Sequence, residues 1–214
     1  MKQGTPEWIA ARVGKVTASR IADVVAKIKS GESASRANYR AELIAERLTG
    51  KQAEQFTNAA MAWGTAAEPL ARAAYEAETG VFVEQVGLID HPSIAMSAAS
   101  PDGLIGNDGQ LEIKCPNTRT HIETILSGQA PREYVPQMQW QMACTGRQWC
   151  DFASFDPRMP PALQLFIVRV PRDQALIDAY EAEVRTFLAE VADVLARLAI
   201  KAASRIESAT SLAA

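Results

Sequence analysis

Four segments rich in β-branched and aromatic residues are set among stretches of helical periodicity: 81–90 (VFVEQVGLID), 111–115 (LEIKC), 149–155 (WCDFASF) and 163–170 (LQLFIVRV). Such side chains fit a pleated, half-buried surface, so the four segments read as strands. A helix is predicted over 6–12, where Thr5 caps and Pro6 takes the first helical position. Others are predicted over 17–29, 35–49, 58–79, 118–127, 131–145 and, as a long amphipathic helix, 173–202. In the third of these, Tyr39, Leu43, Ile44 and Leu48 recur at helical spacing and Gly50 is a stop signal. The run KSGESAS after residue 28 reads as a flexible loop. Strands embedded among helices predict an α/β or α+β chain with a central mixed β-sheet flanked by helices.

The chain is 214 residues long, which suits one domain with a substantial core. Its last residues, about 204–214 (ending SATSLAA), are expected to fray. No apolar run reaches 18 residues, and the opening MKQGTPEWIAARVGKV has no apolar signal core. Neither a membrane span nor secretion is expected. Cys115, Cys144 and Cys150 are odd in number and form no CxxC pair, which favours reduced thiols in a cytoplasmic protein over a zinc ribbon.

The net charge is −3, so no global basic signature marks a polyanion binder. The distribution is uneven, however. Residues 1–40 hold eight Lys/Arg and three acids, whereas 173–199 hold six acids and two arginines. That asymmetry suits an N-terminal region facing a polyanion and a C-terminal region facing away.

The segment SPDGLIGNDGQLEIKCP (100–116) carries the chemistry. Alternation places Leu111, Ile113 and Cys115 on one face and Glu112 and Lys114 on the other. The plain reading is an ion pair on a solvated strand face. The alternative is a metal site with its own lysine: Asp102 and Glu112 as oxygen ligands, and the Ile113 carbonyl as a third, for a hard cation such as Mg²⁺. Lys114 would then orient the attacking water and offset charge in the transition state. Pro101 fixes the backbone before Asp102, and Gly103 permits a tight turn after it.

Five blocks in order, PEWIAARVGKVTAS, AWGTAAEPLARAAYEAETG, SPDGLIGNDGQLEIKCP, EYVPQMQWQM and FDPRMP, make the chain resemble the phage lambda exonuclease family. This is also called the YqaJ-like viral recombinase group, within the PD-(D/E)XK nuclease superfamily. The similarity spans about residues 5–200 and implies one nuclease domain, 1–214, with a restriction-endonuclease-like core. It implies that Asp102 and Glu112 bind metal and that Lys114 is catalytic. Glu68 matches an acid near a second metal. Gln137 matches a glutamine at the active site, with Tyr134 on the same helical face. Arg12, Ser19 and Ser100 match a pocket for the 5′-phosphate of a DNA end, and Lys29 stands in for a basic residue near that end. Physics agrees: arginine grips phosphate bidentately, and Thr17–Ser19 are expected to open a helix whose N-terminus favours an anion.

The resemblance further implies a Mg²⁺-dependent 5′→3′ exonuclease on double-stranded DNA, using two ions and with Mn²⁺ as an alternative. It implies 3′ single-stranded products, a ring-shaped homotrimer and a single-strand annealing protein as partner. Thr65 stands where a well-known member has lysine, and the loop after Lys29 is shorter. Competing readings are an endonuclease or junction resolvase of the same superfamily, and a non-catalytic module that binds DNA ends. His91 and His121 are expected in loop or surface roles; Met138, Trp140 and Met142 are expected in the core.

Overall fold

The computed structural model describes residues 2–53 and 59–212; the expected helix start at 58 and the end of the expected tail, 213–214, lie outside them. The elements in chain order are α1 (Pro6–Arg12), β1 (Val16–Thr17), α2 (Ile21–Val24), α3 (Ala34–Thr49), α4 (Ala59–Thr79), β2 (Ile89–Asp90) and β3 (Ser97–Ala99). They continue with β4 (Gly103–Ile105), β5 (Gly109–Lys114), α5 (Thr118–Ser127), α6 (Val135–Thr145), β6 (Trp149–Phe155), β7 (Leu165–Pro171) and α7 (Gln174–Leu212). The chain is mixed α/β, as expected, but two mixed sheets replace the single one. One has the order β1-β3-β2 and the other β4-β5-β6-β7.

In the larger sheet β5 and β6 run parallel, with Glu112 opposite Phe152 and Lys114 opposite Ser154. Parallel neighbours need a long crossover, and α5 and α6 supply it. The helices cover the sheet on both faces. Ala71 and Tyr75 of α4 pack with Leu111, Ile113, Ala153 and Phe155. On the other face, Met138, Trp140 and Met142 of α6 pack with Cys150 and Phe152. The face that carries Glu112 is therefore roofed by α6, and Glu112 itself is 0 % exposed. The reading of that face as solvated fails because period-two alternation reports which residues share a face, not what lies over it.

Other differences have local causes. Only Ile89–Asp90 of the segment 81–90 forms a strand; an isolated bridge joins Glu84 to Leu104. The predicted helix over 17–29 shrinks to a 3₁₀ turn at Ala18–Arg20 and the four residues of α2. A 3₁₀ turn, Arg132–Tyr134, precedes α6. The last helix does not stop near 202; it continues to Leu212. Gly50 does end α3, in the left-handed conformation (φ 66°). Gly103 has another role than a turn: a Cβ there would overlap the Val83 side chain, so its smallness admits the chain at 83–84.

Both histidines are buried: His91 lies in the loop after β2, in line with a loop role, whereas His121 lies on α5, away from any surface. His121 Nδ1 bonds the Ser154 hydroxyl at 2.7 Å and its Nε2 the Leu163 carbonyl at 2.8 Å. His91 stacks on Trp140 at 5.0 Å and accepts two main-chain N–H groups. The basic N-terminal region is also largely neutralised within the fold. Arg36 and Arg40 pair with Glu190 of α7, and Lys27 with Glu183. Lys15 pairs with Asp90, and Arg20 with Asp23 and Glu42. The two charge blocks face each other rather than pointing apart.

Candidate active site

A cleft of about 1070 Å³ opens where α1, α4, β5 and the start of α6 meet. It is lined by Arg12, Ser19, Glu68, Ser100, Asp102, Glu112, Ile113, Lys114, Tyr134 and Gln137, which come from four separate segments of the sequence. Lys29 is the exception: it sits exposed in a bend between α2 and α3 and does not line the cleft.

At the floor, Asp102 leaves the end of the β3 segment just before β4. Its N–H donates to Leu111 O (3.1 Å), and its Oδ2 accepts from Ile113 N (2.6 Å), which locks the aspartate beside β5. Glu112 is gripped at both oxygens. Gln137 Nε2 and Lys114 Nζ reach Oε1 at 2.6 and 2.5 Å, and Gln141 Nε2 reaches Oε2 at 2.6 Å. Gln141 is held in turn by Gln110 Nε2 (3.1 Å), whose own Oε1 accepts from Thr145 (3.0 Å). Tyr134 stacks on Phe152 and presents its ring to Lys114 Nζ at 4.9 Å.

Burial, and then the nearby charge of Glu112, push the Asp102 carboxyl well above the usual carboxylate range. Burial alone would pull the Lys114 ammonium down, but Glu112 and Asp102 outweigh it and the net shift is upward. Two carboxylates are thus crowded around one ammonium. The donor set fits a hard divalent cation, because such an ion would neutralise the excess negative charge that burial makes costly. Glu68 lines the same cleft with its carboxylate held by Arg72 at 2.6 Å. Among the described residues no three His, Cys, Asp or Glu side chains form a ready-made cage.

At the rim, the Arg12 guanidinium lies over the Trp8 ring at 4.2 Å, and Trp8 Nε1 donates to Ser100 Oγ at 3.0 Å. Burial lowers the Arg12 pKa, and among the described residues no carboxylate is within ion-pair distance of it. It is a partly desolvated cation waiting for an anion. The helix-dipole argument for Ser19 does not hold, because four residues of α2 supply little macrodipole.

Cys115, expected on the face opposite Lys114, also lines the cleft, and burial pushes its thiol up to about 12. Sequence reasoning missed Trp8, Trp63, Gln110, Gln141 and Arg158. Gln141 was findable as the residue one helical turn beyond Gln137; Trp8, Trp63, Gln110 and Arg158 lie within the blocks that carry the family resemblance, but their contacts are set by tertiary structure.

The YqaJ-like viral recombinase domain matches residues 7–148, a span that holds every one of these acids and glutamines. The chain belongs to that family. Comparison with curated proteins gives no match. An alkaline exonuclease (LHK-Exo) from Laribacter hongkongensis is 59 % identical, with 94 % of this chain and 99 % of that one covered and a TM-score of 0.88. The same figures hold for LHK-Exo in complex with dAMP. A phage-related exonuclease from Haemophilus somnus 129PT shares the fold, at 15 % identity, TM-score 0.68 and coverage of 86 % and 96 %. No described helix is long and apolar enough to cross a membrane.

Proposed function

We propose that this family member is a divalent-metal-dependent 5′→3′ exonuclease that digests double-stranded DNA from 5′-phosphorylated ends and leaves 3′ single-stranded tails for recombination. The observation that carries the reading is the grouping of Asp102, Glu112 and Lys114 at the floor of a cleft whose rim holds the unpaired Arg12. The 59 % identity with an alkaline exonuclease supports it, and so does that protein's complex with dAMP, a deoxynucleoside monophosphate.

In this reading Arg12 grips the terminal 5′-phosphate, with Ser100 and Ser19 as hydroxyl partners. Fixing that phosphate sets which phosphodiester reaches the acids, so one nucleotide is released per cut. Water adds to the scissile phosphorus, the bond to the 3′-oxygen breaks, and a 5′-mononucleotide leaves. Asp102, Glu112 and the Ile113 carbonyl would hold Mg²⁺ or Mn²⁺, with Glu68 available to a second ion; the metal would polarise phosphate oxygens and acidify water. Lys114, beside Glu112, is placed to orient the attacking water and to offset developing negative charge. Gln137 and Gln141 keep Glu112 aimed, and Tyr134 closes the wall beside Lys114.

A homotrimeric ring, an annealing protein as partner and a cytoplasmic location complete the proposal. Exposure of Leu198 and Ile200 on α7 supports association with further chains. The test is digestion of end-labelled linear duplex against closed-circular duplex, with metal and 5′-end chemistry varied together. Metal-dependent loss of 5′ label from the linear DNA, with the circle spared, is the expected result. Cutting of the circle would replace the reading with an endonuclease, and no digestion at all would leave a DNA-end-binding module.

A further inference from the structure

Arg158 lies beyond the matched residues 7–148, in the FDPRMP block, and it lines the same cleft. One edge of its guanidinium is fixed: Nε donates to Asp156 Oδ1 at 2.7 Å and Nη2 to Oδ2 at 2.9 Å. Asp156 is fully buried and also receives the Thr118 hydroxyl at 2.6 Å, so the brace is rigid. The guanidinium lies over the Trp63 ring, with Cζ 4.7 Å from the centroid. Among the described residues no hydrogen bond occupies Nη1, and the side chain stays 49 % exposed. Trp63, itself part of the cleft wall, has a buried Nε1 with no acceptor among the described residues. Neutralising Asp156 needs only the two bonds to its carboxylate. The tryptophan platform and the open donor edge are surplus to that role.

The location suggests what they are for. Arg12 is tied, through Trp8 and Ser100, to the chain just before Asp102. Arg158 reaches the Pro116 carbonyl at 3.4 Å, two residues past Lys114. Both contacts lie at the open end of the β4–β5 hairpin, one beyond each arm, and both arginines line the cleft that holds the acids; a DNA strand carries one phosphate per nucleotide. We propose that Arg158, braced by Asp156 and stacked on Trp63, grips the phosphate immediately 3′ of the scissile bond. The site then holds three consecutive phosphates of one strand: the terminal one at Arg12, the scissile one at the acids and the next at Arg158. This inference rests on the exonuclease reading, and it adds a binding residue that the matched domain does not include.

The test uses the full chain and 5′-phosphorylated duplexes in which one linkage, between the second and third nucleotides of the cleaved strand, is an uncharged methylphosphonate. Single-turnover cleavage gives the DNA concentration for half-maximal rate. On unmodified duplex, R158Q should raise that concentration about tenfold and reduce the slope of log affinity against log salt by about one. On the methylphosphonate duplex, wild-type protein should show the same loss and R158Q no further one. Trp63→Leu leaves the pair with Asp156 intact and should show a smaller, equally non-additive loss; with R158K it decides the matter if R158Q does not fold. Losses that add in all three variants, or an unchanged salt slope, overturn the inference while leaving the exonuclease reading in place. Failure of wild-type protein to shorten the unmodified duplex from its 5′ end overturns both.

Discussion

Asp102 and Glu112 are held differently, and the difference assigns them different sensitivities. Glu112 is fully buried with three donors on its two oxygens, whereas among the described residues the Asp102 carboxylate receives one hydrogen bond, from Ile113 N. Asp102→Asn keeps the shape and that bond while removing a charge the cation needs. Turnover should fall by about three orders of magnitude, near 4 kcal/mol of transition-state stabilisation, with duplex affinity close to wild type. Rate and gel-shift measurements on one preparation check both halves. Lys114→Ala should depress turnover far more than Mg²⁺ affinity read by calorimetry; the reverse order would make the lysine a structural counter-ion. At the rim, wild-type protein should prefer 5′-phosphate over 5′-hydroxyl ends. Arg12→Ala should erase that preference, and one that survives removes Arg12 from the pocket.

At the scale of elements, α6 organises the site from above. Gln137 and Gln141 stand one turn apart on the side facing Glu112, while Trp140 bonds Ser97 of β3. Gln141→Leu would leave a carboxylate oxygen of buried Glu112 and the Gln110 amide short of partners. The expected cost is about 1–3 kcal/mol. At roughly 2–4 °C per kcal/mol for a chain of this size, calorimetric melting will show it.

The packing of α3 carries a second test. Tyr39 is 2 % exposed, accepts from Thr17 N at 3.1 Å and stacks on Phe187 of α7 at 5.6 Å. Burial pushes its phenol from 10 up to about 12. From pH 10 to 12 the unfolded chain releases this proton and the folded chain keeps it, so stability is full below 10 and falls as pH rises. The slope is about 1.4 kcal/mol per pH unit. Tyr39→Phe should flatten that part of the curve in denaturant titrations at pH 9 and 11.

For the whole molecule, the electrostatic question is how a chain of net charge −3 holds DNA. Most of its N-terminal cations are committed to α7, to Asp90 or to Asp23 and Glu42. Few remain for a polyanion; Arg12 from this region and Arg158 from after β6 line the cleft, and the proposed roles make them local grips rather than a broad basic face. Enclosing the duplex in a ring would raise the local density of such grips without changing the net charge. Sedimentation should accordingly give the mass of three chains. A monomer that digests long duplexes without dissociating would remove the ring from the account.

The sequence by itself determined the elements whose signals are local. β-Propensity marked β5, β6 and β7, helical spacing and Gly50 marked α3, and the short interval from Asp102 to Lys114 placed the acids and the amine beside one another. Family resemblance extended that to Glu68, Gln137 and Arg12, which the fold then gathered into one cleft. Only the tertiary structure decided what covers each face. Nothing local says that α6 roofs Glu112, that His121 is buried against Ser154, or that α7 takes the charges of Arg36 and Arg40. Periodicity is a property of neighbours a few residues apart, whereas burial and charge pairing are set by segments that meet only when the chain has folded.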